Sequence, residues 1–210
     1  MRLNNITLVC IDDLFPKRAN ELLIYLNKLI SFESVKLFCS SFSSPLAVNI
    51  QPIKSIHDHD KFLITSLYEY IDTDFCMIVQ RDGFFINVNA WRNEFLDYDY
   101  IGAPWADGGV GNGGFSIRSK RLLKFVANHP TSSDPQFDFS PEDGLICSTF
   151  RKDLESTGHR FAPTNVAANF SREGLFFLPE DVFGFHGKHT FFLNKYTEEN
   201  PSFSDVPKLF

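Results

Sequence analysis

Apolar positions along the chain follow two rhythms. Ile6–Ile11 is a short β-branched and apolar run closed by Asp12 and Asp13, the pattern of a buried parallel strand. Over Lys17–Ile30 the residues Leu22, Leu23, Leu26, Leu29 and Ile30 recur at helical spacing, and Val35–Cys39 returns to a strand-like run. A Ser/Pro turn region, Ser40–Pro45, follows. Strand, helix and strand in that order begin a βαβ unit and predict a layered α/β fold. A second stripe through Leu63, Ile64, Leu67 and Tyr68 predicts a helix over Asp60–Ile71, and Phe75–Val79 is the best buried-strand candidate in the chain.

Further on, Phe115–Ile117 reads as a strand and Ser119–Asn128 as a helix carrying Leu122, Leu123, Phe125 and Val126. Thr131–Phe139 reads as a polar loop and Pro141–Thr157 as a helix stopped by Gly158. Beyond it, apolar and aromatic residues alternate irregularly up to His186. After Tyr196 the chain has little to bury. With no internal repeat and no domain boundary, the organisation expected is one domain over residues 1–195 and a C-terminal tail over 196–210.

Composition sharpens this picture. A hydrophobic content of 43% in 210 residues supports one real core, and 24 phenylalanines make it unusually aromatic. The net charge of −6, with no basic run to offset it, argues against a nucleic-acid partner. No apolar run approaches the roughly 20 residues of a membrane helix, and no signal-peptide core precedes Asp12. Cys10, Cys39, Cys76 and Cys147 lie far apart without a Cys-x-x-Cys pair, which predicts buried free thiols in a reducing compartment and a cytoplasmic protein.

The candidate chemistry gathers around Asp99–Arg118, where five glycines fall within Gly108–Gly114. Glycine loses much backbone entropy on folding, so such a cluster fits sharp turns or close approach to a ligand. Gln80–Phe84 lies upstream, and Pro141–Gly144 and Phe183–Gly187 lie downstream; together these stretches read as the walls of one site. Gly109–Gly114 also satisfies Gly-x-Gly-x-x-Gly, but a dinucleotide fingerprint needs a strand directly before it and a helix directly after. Here Pro104-Trp105 precedes and Phe115-Ser116-Ile117 follows.

Asp82 ends the Phe75–Val79 run, and ligands of open α/β sheets collect beyond the carboxyl ends of strands. Its carboxylate suits a hard divalent cation as well as it suits a simple Asp-Gly turn. Ser140-Pro141-Glu142-Asp143 reads as a helix start, with Ser140 as cap and Pro141 in the first turn; a carboxylate there can also serve as a base. His186 sits in an aromatic setting that suits a core histidine. His57-Asp58-His59-Asp60 reads as a solvated helix lead-in rather than a metal cluster.

Taken together, Gln80-Arg81-Asp82-Gly83-Phe84, Tyr100–Trp105, Gly111–Ser119, Pro141-Glu142-Asp143, Arg160–Pro163 and Phe183–Gly187 resemble a family of largely uncharacterised glycosyltransferase-like domains of bacterial polysaccharide loci. The resemblance covers about Phe75 to Gly187. It implies a GT-A-like α/β domain, a mixed, mostly parallel sheet flanked by helices with a Rossmann-like nucleotide-binding N-terminal half. It also implies a nucleotide-sugar donor, a glycan or lipid-linked acceptor and a divalent cation, Mn or Mg. The Asp-x-Asp motif of such enzymes is replaced here by Gln80-Arg81-Asp82. By the resemblance Asp82 and His186 hold the cation, Asp143 is the base of an inverting reaction and Glu142 contacts the acceptor hydroxyl. Asp12, Arg81, Trp105, Asn112, Gly113 and Gly114 fall on the donor side. Two other readings share these residues: a non-catalytic nucleotide- or carbohydrate-binding module, and a metal-dependent hydrolase using Asp82, Glu142, Asp143 and His186.

Overall fold

The computed structural model describes residues 1–106, 108–134, 138–139, 141–173 and 180–187. Its main sheet has six strands in the order β3-β2-β1-β4-β7-β6: β1 (Arg2–Ile11), β2 (Ser31–Cys39), β3 (Ala47–Asn49), β4 (Phe75–Ile78), β6 (Tyr100–Ile101) and β7 (Ser116–Ser119). β1 pairs parallel to β2 and to β4, β2 parallel to β3, and β7 runs antiparallel to both β4 and β6. Five strands therefore share one direction and β7 opposes them. The expected mixed, mostly parallel α/β sheet is the sheet observed.

A second sheet, unforeseen in the sequence, joins β5 (Gly83–Phe85), β9 (Gly184–His186) and β8 (Ser171–Glu173) in the order β5-β9-β8. Each of its strands is three residues long, too short to show a period of two. It ties the region after Gly158 back to the end of β4.

Local chemistry sets the helix boundaries. Helix α1 (Pro16–Leu29) opens on a proline at its first position, after Asp12 Oδ1 has accepted the N–H groups of Leu14 and Phe15. Helix α2 (Ile56–Thr65) is capped by Ser55, which accepts from Asp58 N–H while Asp58 Oδ2 accepts from the Lys54 N–H and the Ser55 hydroxyl. The stripe expected over Asp60–Ile71 is thus α2 plus a separate short turn at Leu67–Tyr70. Helix α3 (Lys120–Ala127) is capped by Ser119, whose Oγ accepts from Leu122 N–H.

The helix expected over Pro141–Thr157 is broken. Helix α4 (Glu142–Gly144) runs into a π-helical turn at Leu145–Thr149, and α5 (Arg151–Ser156) follows. Pro141 stands at the N-cap with extended backbone rather than in the first turn, and Ser140 lies outside the described residues. Gly158 closes α5 at φ +81°, with His159 N–H returning to Leu154 O. Helix α6 (Thr164–Phe170) follows Pro163, in the stretch whose pattern had looked irregular.

The core is aromatic as expected. Phe84, Phe85, Phe95, Phe115, Phe170 and Phe183 are fully buried, with Phe85 stacked on Phe183 at 5.0 Å and Phe115 on Phe170 at 4.7 Å. All four cysteines are buried and unbridged. Among the described residues no helix is long and apolar enough to cross a membrane. The tail expected over 196–210 lies outside the described residues.

Candidate functional site

Strand order turns at β1, with β2 and β3 on one side and β4 on the other. Beyond the carboxyl ends of β1 and β4 lies an open cleft of about 770 Å³, lined by Cys10–Leu14, Ile53–Ile56, His59 and Gln80–Asp82. This is the position at which doubly wound sheets take their ligands. Lys54, Ser55, Ile56 and His59 reach it from the start of α2, ahead of the apolar stripe that marks the helix in the sequence.

The two acidic residues that end β1 are engaged. Asp12 Oδ2 accepts from Arg81 Nε at 2.6 Å while its Oδ1 shapes the turn into α1. Asp13 accepts the N–H groups of Ser40 (2.5 Å) and Ile53 (2.7 Å) and so braces the cleft wall. The Arg81 guanidinium also lies over the Phe15 ring at 4.4 Å. Cys10, on the cleft floor, is held as the thiol because burial, and after it Asp12, pushes its pKa up.

Gln80-Arg81-Asp82-Gly83 is a tight turn closed by Gln80 N–H to Gly83 O (2.8 Å) and Gly83 N–H to Gln80 O (3.0 Å). Arg81 and Asp82 stand at its tip. His186 faces this turn from β9: its Nε2 lies 3.3 Å from Gln80 Oε1 and its Nδ1 3.5 Å from Glu173 Oε1. A β-carbon on Gly83 or Gly114 would meet the His186 ring. Both glycines are therefore the room that the imidazole occupies.

The glycine-rich segment is packed in the same way further along. Trp105 lies flat against Gly111, leaving no room for a β-carbon, and Gly113 lies against Glu142 and Arg118. Arg118 is fully buried; its Nη2 donates to Glu142 Oε1 at 2.5 Å, its Nε to Ser116 Oγ at 3.2 Å, and its guanidinium sits 5.3 Å from the Tyr100 ring centre. Burial pushes the Glu142 carboxyl up against the pull of Arg118. Burial acts to weaken the Arg118 charge, and Glu142 outweighs it, so the guanidinium stays charged. Glu142 was expected to touch an acceptor hydroxyl; its carboxylate is instead turned onto Arg118, with the residue only 6% exposed.

Asp143 differs from its neighbour. It is half-buried, and its Oδ2 accepts the N–H of Asn112 at 2.7 Å while Oδ1 accepts that of Gly144 at 2.8 Å. Each oxygen keeps a further lone pair. Asn112 is the one non-glycine residue with positive φ among the described residues, at +64°.

The four stretches thus come together through a chain of contacts: Arg81 with Asp12, Gln80 with His186, His186 with Gly114, and Asn112 with Asp143. A protein-built metal centre is not among them. Among the described residues no three His, Cys, Asp or Glu side chains gather where they could hold an ion; His186 Nε2 faces Gln80, and its Nδ1 is buried without a hydrogen-bond partner, 3.5 Å from Glu173 Oε1. Asp82 and His186, the pair that the resemblance assigns to a cation, are brought close along the chain, with the N–H of Gly187 donating to Asp82 O at 2.8 Å. His57-Asp58-His59-Asp60 opens α2 as a helix lead-in, although Asp60 is buried beside His59 at 3.0 Å rather than solvated.

Residues 46–186 match a protein-family model described as "Protein of unknown function (DUF5672)". The chain belongs to that family. The DUF5672 match starts just before β3 and ends at His186, so it contains the turn at Arg81-Asp82, the glycine-rich segment and Asp143, and leaves out β1 with Asp12. Among solved structures, the chain is similar to a glycosyltransferase involved in the glycosylation of the major capsid of PBCV-1, at 14% identity over 86% of this chain and 92% of that chain, with a TM-score of 0.47. No curated protein matches the sequence.

Proposed function

We propose that this chain is a glycosyltransferase that moves a sugar from a nucleotide-activated donor to a glycan or lipid-linked acceptor. The observation that carries the reading is the cleft at the switch point between β1 and β4, bordered by the Arg81-Asp82 turn, from which contacts run through Gln80, His186 and the Asn112–Gly114 backbone to the Asp143 carboxylate. The nucleotide occupies the cleft. Arg81 and Lys54 supply the positive charge that its diphosphate requires, which an acidic chain must place locally.

Asp143 is the base. Its carboxylate takes the proton of the acceptor hydroxyl as that oxygen bonds to the anomeric carbon, while the bond from that carbon to the donor phosphate breaks and its electron pair leaves with the diphosphate. Attack opposite the leaving group inverts the anomeric centre. The Asn112 N–H holds Asp143 in orientation, and the Glu142–Arg118 pair fixes the start of α4 beneath it.

Incubation with a panel of uridine, guanosine and cytidine nucleotide sugars tests the reading, with release of nucleoside diphosphate and labelled sugar transfer as readouts. Transfer from at least one donor is the expected result. Nucleotide binding without any turnover would make the chain a binding module instead.

A further inference from the structure

The His59–Asp60 pair near the start of α2 has no part in the chemistry assigned so far. His59 lines the cleft, and its side chain keeps 13% of its surface exposed. Its Nδ1 lies 3.0 Å from Oδ1 of Asp60, which is buried. A carboxylate only accepts hydrogen bonds, so Nδ1 carries the proton of this contact, and Nε2 is the acceptor nitrogen of the neutral ring. That Nε2 has no hydrogen-bond partner among the described residues, and it is not sealed away as Nε2 of His159 is. Two neighbours in the cleft lack cover as well. Leu14 and Ile56, at 79% and 67%, are the most exposed large hydrophobic residues among those described, and both line the cleft. Ile56 precedes His59 by three positions on α2, so the two share one helix face. Arg81 enters from the turn after β4 and is held by Asp12. The cleft thus has a cation on one element and, on α2, a hydrogen-bond acceptor beside an apolar surface.

We infer that His59 Nε2 accepts a hydrogen bond from a ribose hydroxyl of the nucleotide, with the nucleobase against Leu14 and Ile56 and the diphosphate toward Arg81. This rests on the transferase reading given above, through the nucleotide that it puts in the cleft. The acceptor nitrogen selects the group. A diphosphate offers only further acceptors and cannot complete Nε2, whereas each ribose hydroxyl has a hydrogen to donate. The flat faces of a nucleobase are the part of the ligand that can cover exposed aliphatic side chains. Asp60 acts through His59: its buried carboxylate holds Nδ1–H and so fixes which nitrogen is turned to the ligand.

The test uses the full chain at about pH 8, above the ordinary titration range of histidine. The probes are uridine and guanosine diphosphates and their 2′-deoxy and 3′-deoxy forms, with and without Mn²⁺. Calorimetry reads affinity and a thermal melt reads folding. Wild-type protein is expected to bind at least one ribonucleotide about 3- to 10-fold more tightly than one of its deoxy forms, the scale of a single neutral hydrogen bond. His59→Asn is the decisive variant, because its carboxamide N–H can replace Nδ1 against Asp60 while nothing replaces Nε2. It should stay folded and bind the ribonucleotide and that deoxy form alike. His59→Gln, whose longer side chain returns an acceptor to the cleft, should keep the preference. Equal binding of all three forms by wild-type protein would overturn the inference without recourse to any variant, leaving the nucleotide in the cleft. A preference that survives in His59→Asn would overturn it too, and would put the hydroxyl on another residue. Binding of no nucleotide at all would overturn the donor cleft and this contact with it.

Discussion

The backbone of Gly113 passes so close to the Glu142 side chain that a β-carbon at 113 would overlap Glu142 Oε1 and crowd Arg118 Nη2. The segment is glycine-rich at this point where it closes over the buried Arg118–Glu142 ion pair. Gly113→Ala is expected to destabilise the protein by about 1–3 kcal/mol, the range for overpacking a fixed interior. Activity should fall only as far as the folded fraction does. Thermal melts run beside activity assays check this, and a variant that melts normally but is inactive would place a ligand against Gly113.

Glu142→Gln would leave the Arg118 guanidinium charged and buried without its counter-ion. Removing one partner of a buried pair costs about 3–5 kcal/mol, whereas removing both costs much less. Urea denaturation should therefore show Glu142→Gln to be less stable than the double variant Arg118→Met/Glu142→Leu. The reverse order would mean that the pair contributes little.

Asp99 gives the fold a defined acid response. Burial acts to raise its carboxyl pKa, but bonds from Arg121, Ser119 Oγ (2.6 Å) and Arg160 N–H (2.8 Å) outweigh it and hold the group below the usual carboxylate range. Because the folded state releases this proton more readily than the unfolded chain, the stabilisation is present above the unfolded pKa of about 3.9 and is lost as the pH falls through the folded value. Asp99→Asn should be less stable than wild type near neutral pH, with the gap narrowing below about pH 4. Denaturation midpoints across that window check it, and a constant gap would contradict it.

Arg81 carries the prediction for the donor side. Its guanidinium spans from Asp12 to the Phe15 ring at the cleft wall, so Arg81→Ala removes a cation and also leaves the Asp12 carboxylate unpaired. Both changes oppose an anionic ligand, and binding of nucleoside diphosphate should weaken by about 10-fold or more, in line with roughly 1.5–3 kcal/mol for a charged hydrogen bond. Calorimetry in EDTA and in Mn²⁺ separates this effect from any bound cation. Unchanged affinity in both would remove Arg81 from the site.

Much of the sheet was legible because β4 is a continuous apolar run, Ile6–Ile11 and Val35–Cys39 are mostly β-branched or apolar, and α1 and α3 carry clear helical stripes. β3, β5, β8 and β9 were not, since three residues carry no period and their pairing is fixed by distant partners. The site was legible as a set of segments but not in its internal wiring. Nothing in Gly113, Arg118 or Glu142 taken singly says that the three share one enclosed space. The sequence puts Asp12 and Asp13 at the end of β1 but does not say that they bond to Arg81 and to loop N–H groups. That the His186 ring packs against Gly83 and Gly114, 3.3 Å from Gln80 Oε1, was equally invisible, because His186 is far from all three in the chain.

The central claim, that this site transfers sugar with Asp143 as its base, is tested most directly by Asp143→Asn. Asparagine keeps an oxygen to accept the Asn112 N–H and gives up only the bond from the Gly144 N–H beside it, so the fold and the donor cleft should persist. The measurement is the single-turnover rate of sugar transfer from the donor that wild-type protein uses, with nucleotide affinity measured on the same preparation. Transfer slower by about 10²–10⁴-fold with nucleotide affinity intact is the result predicted. Transfer at a near-normal rate would contradict it.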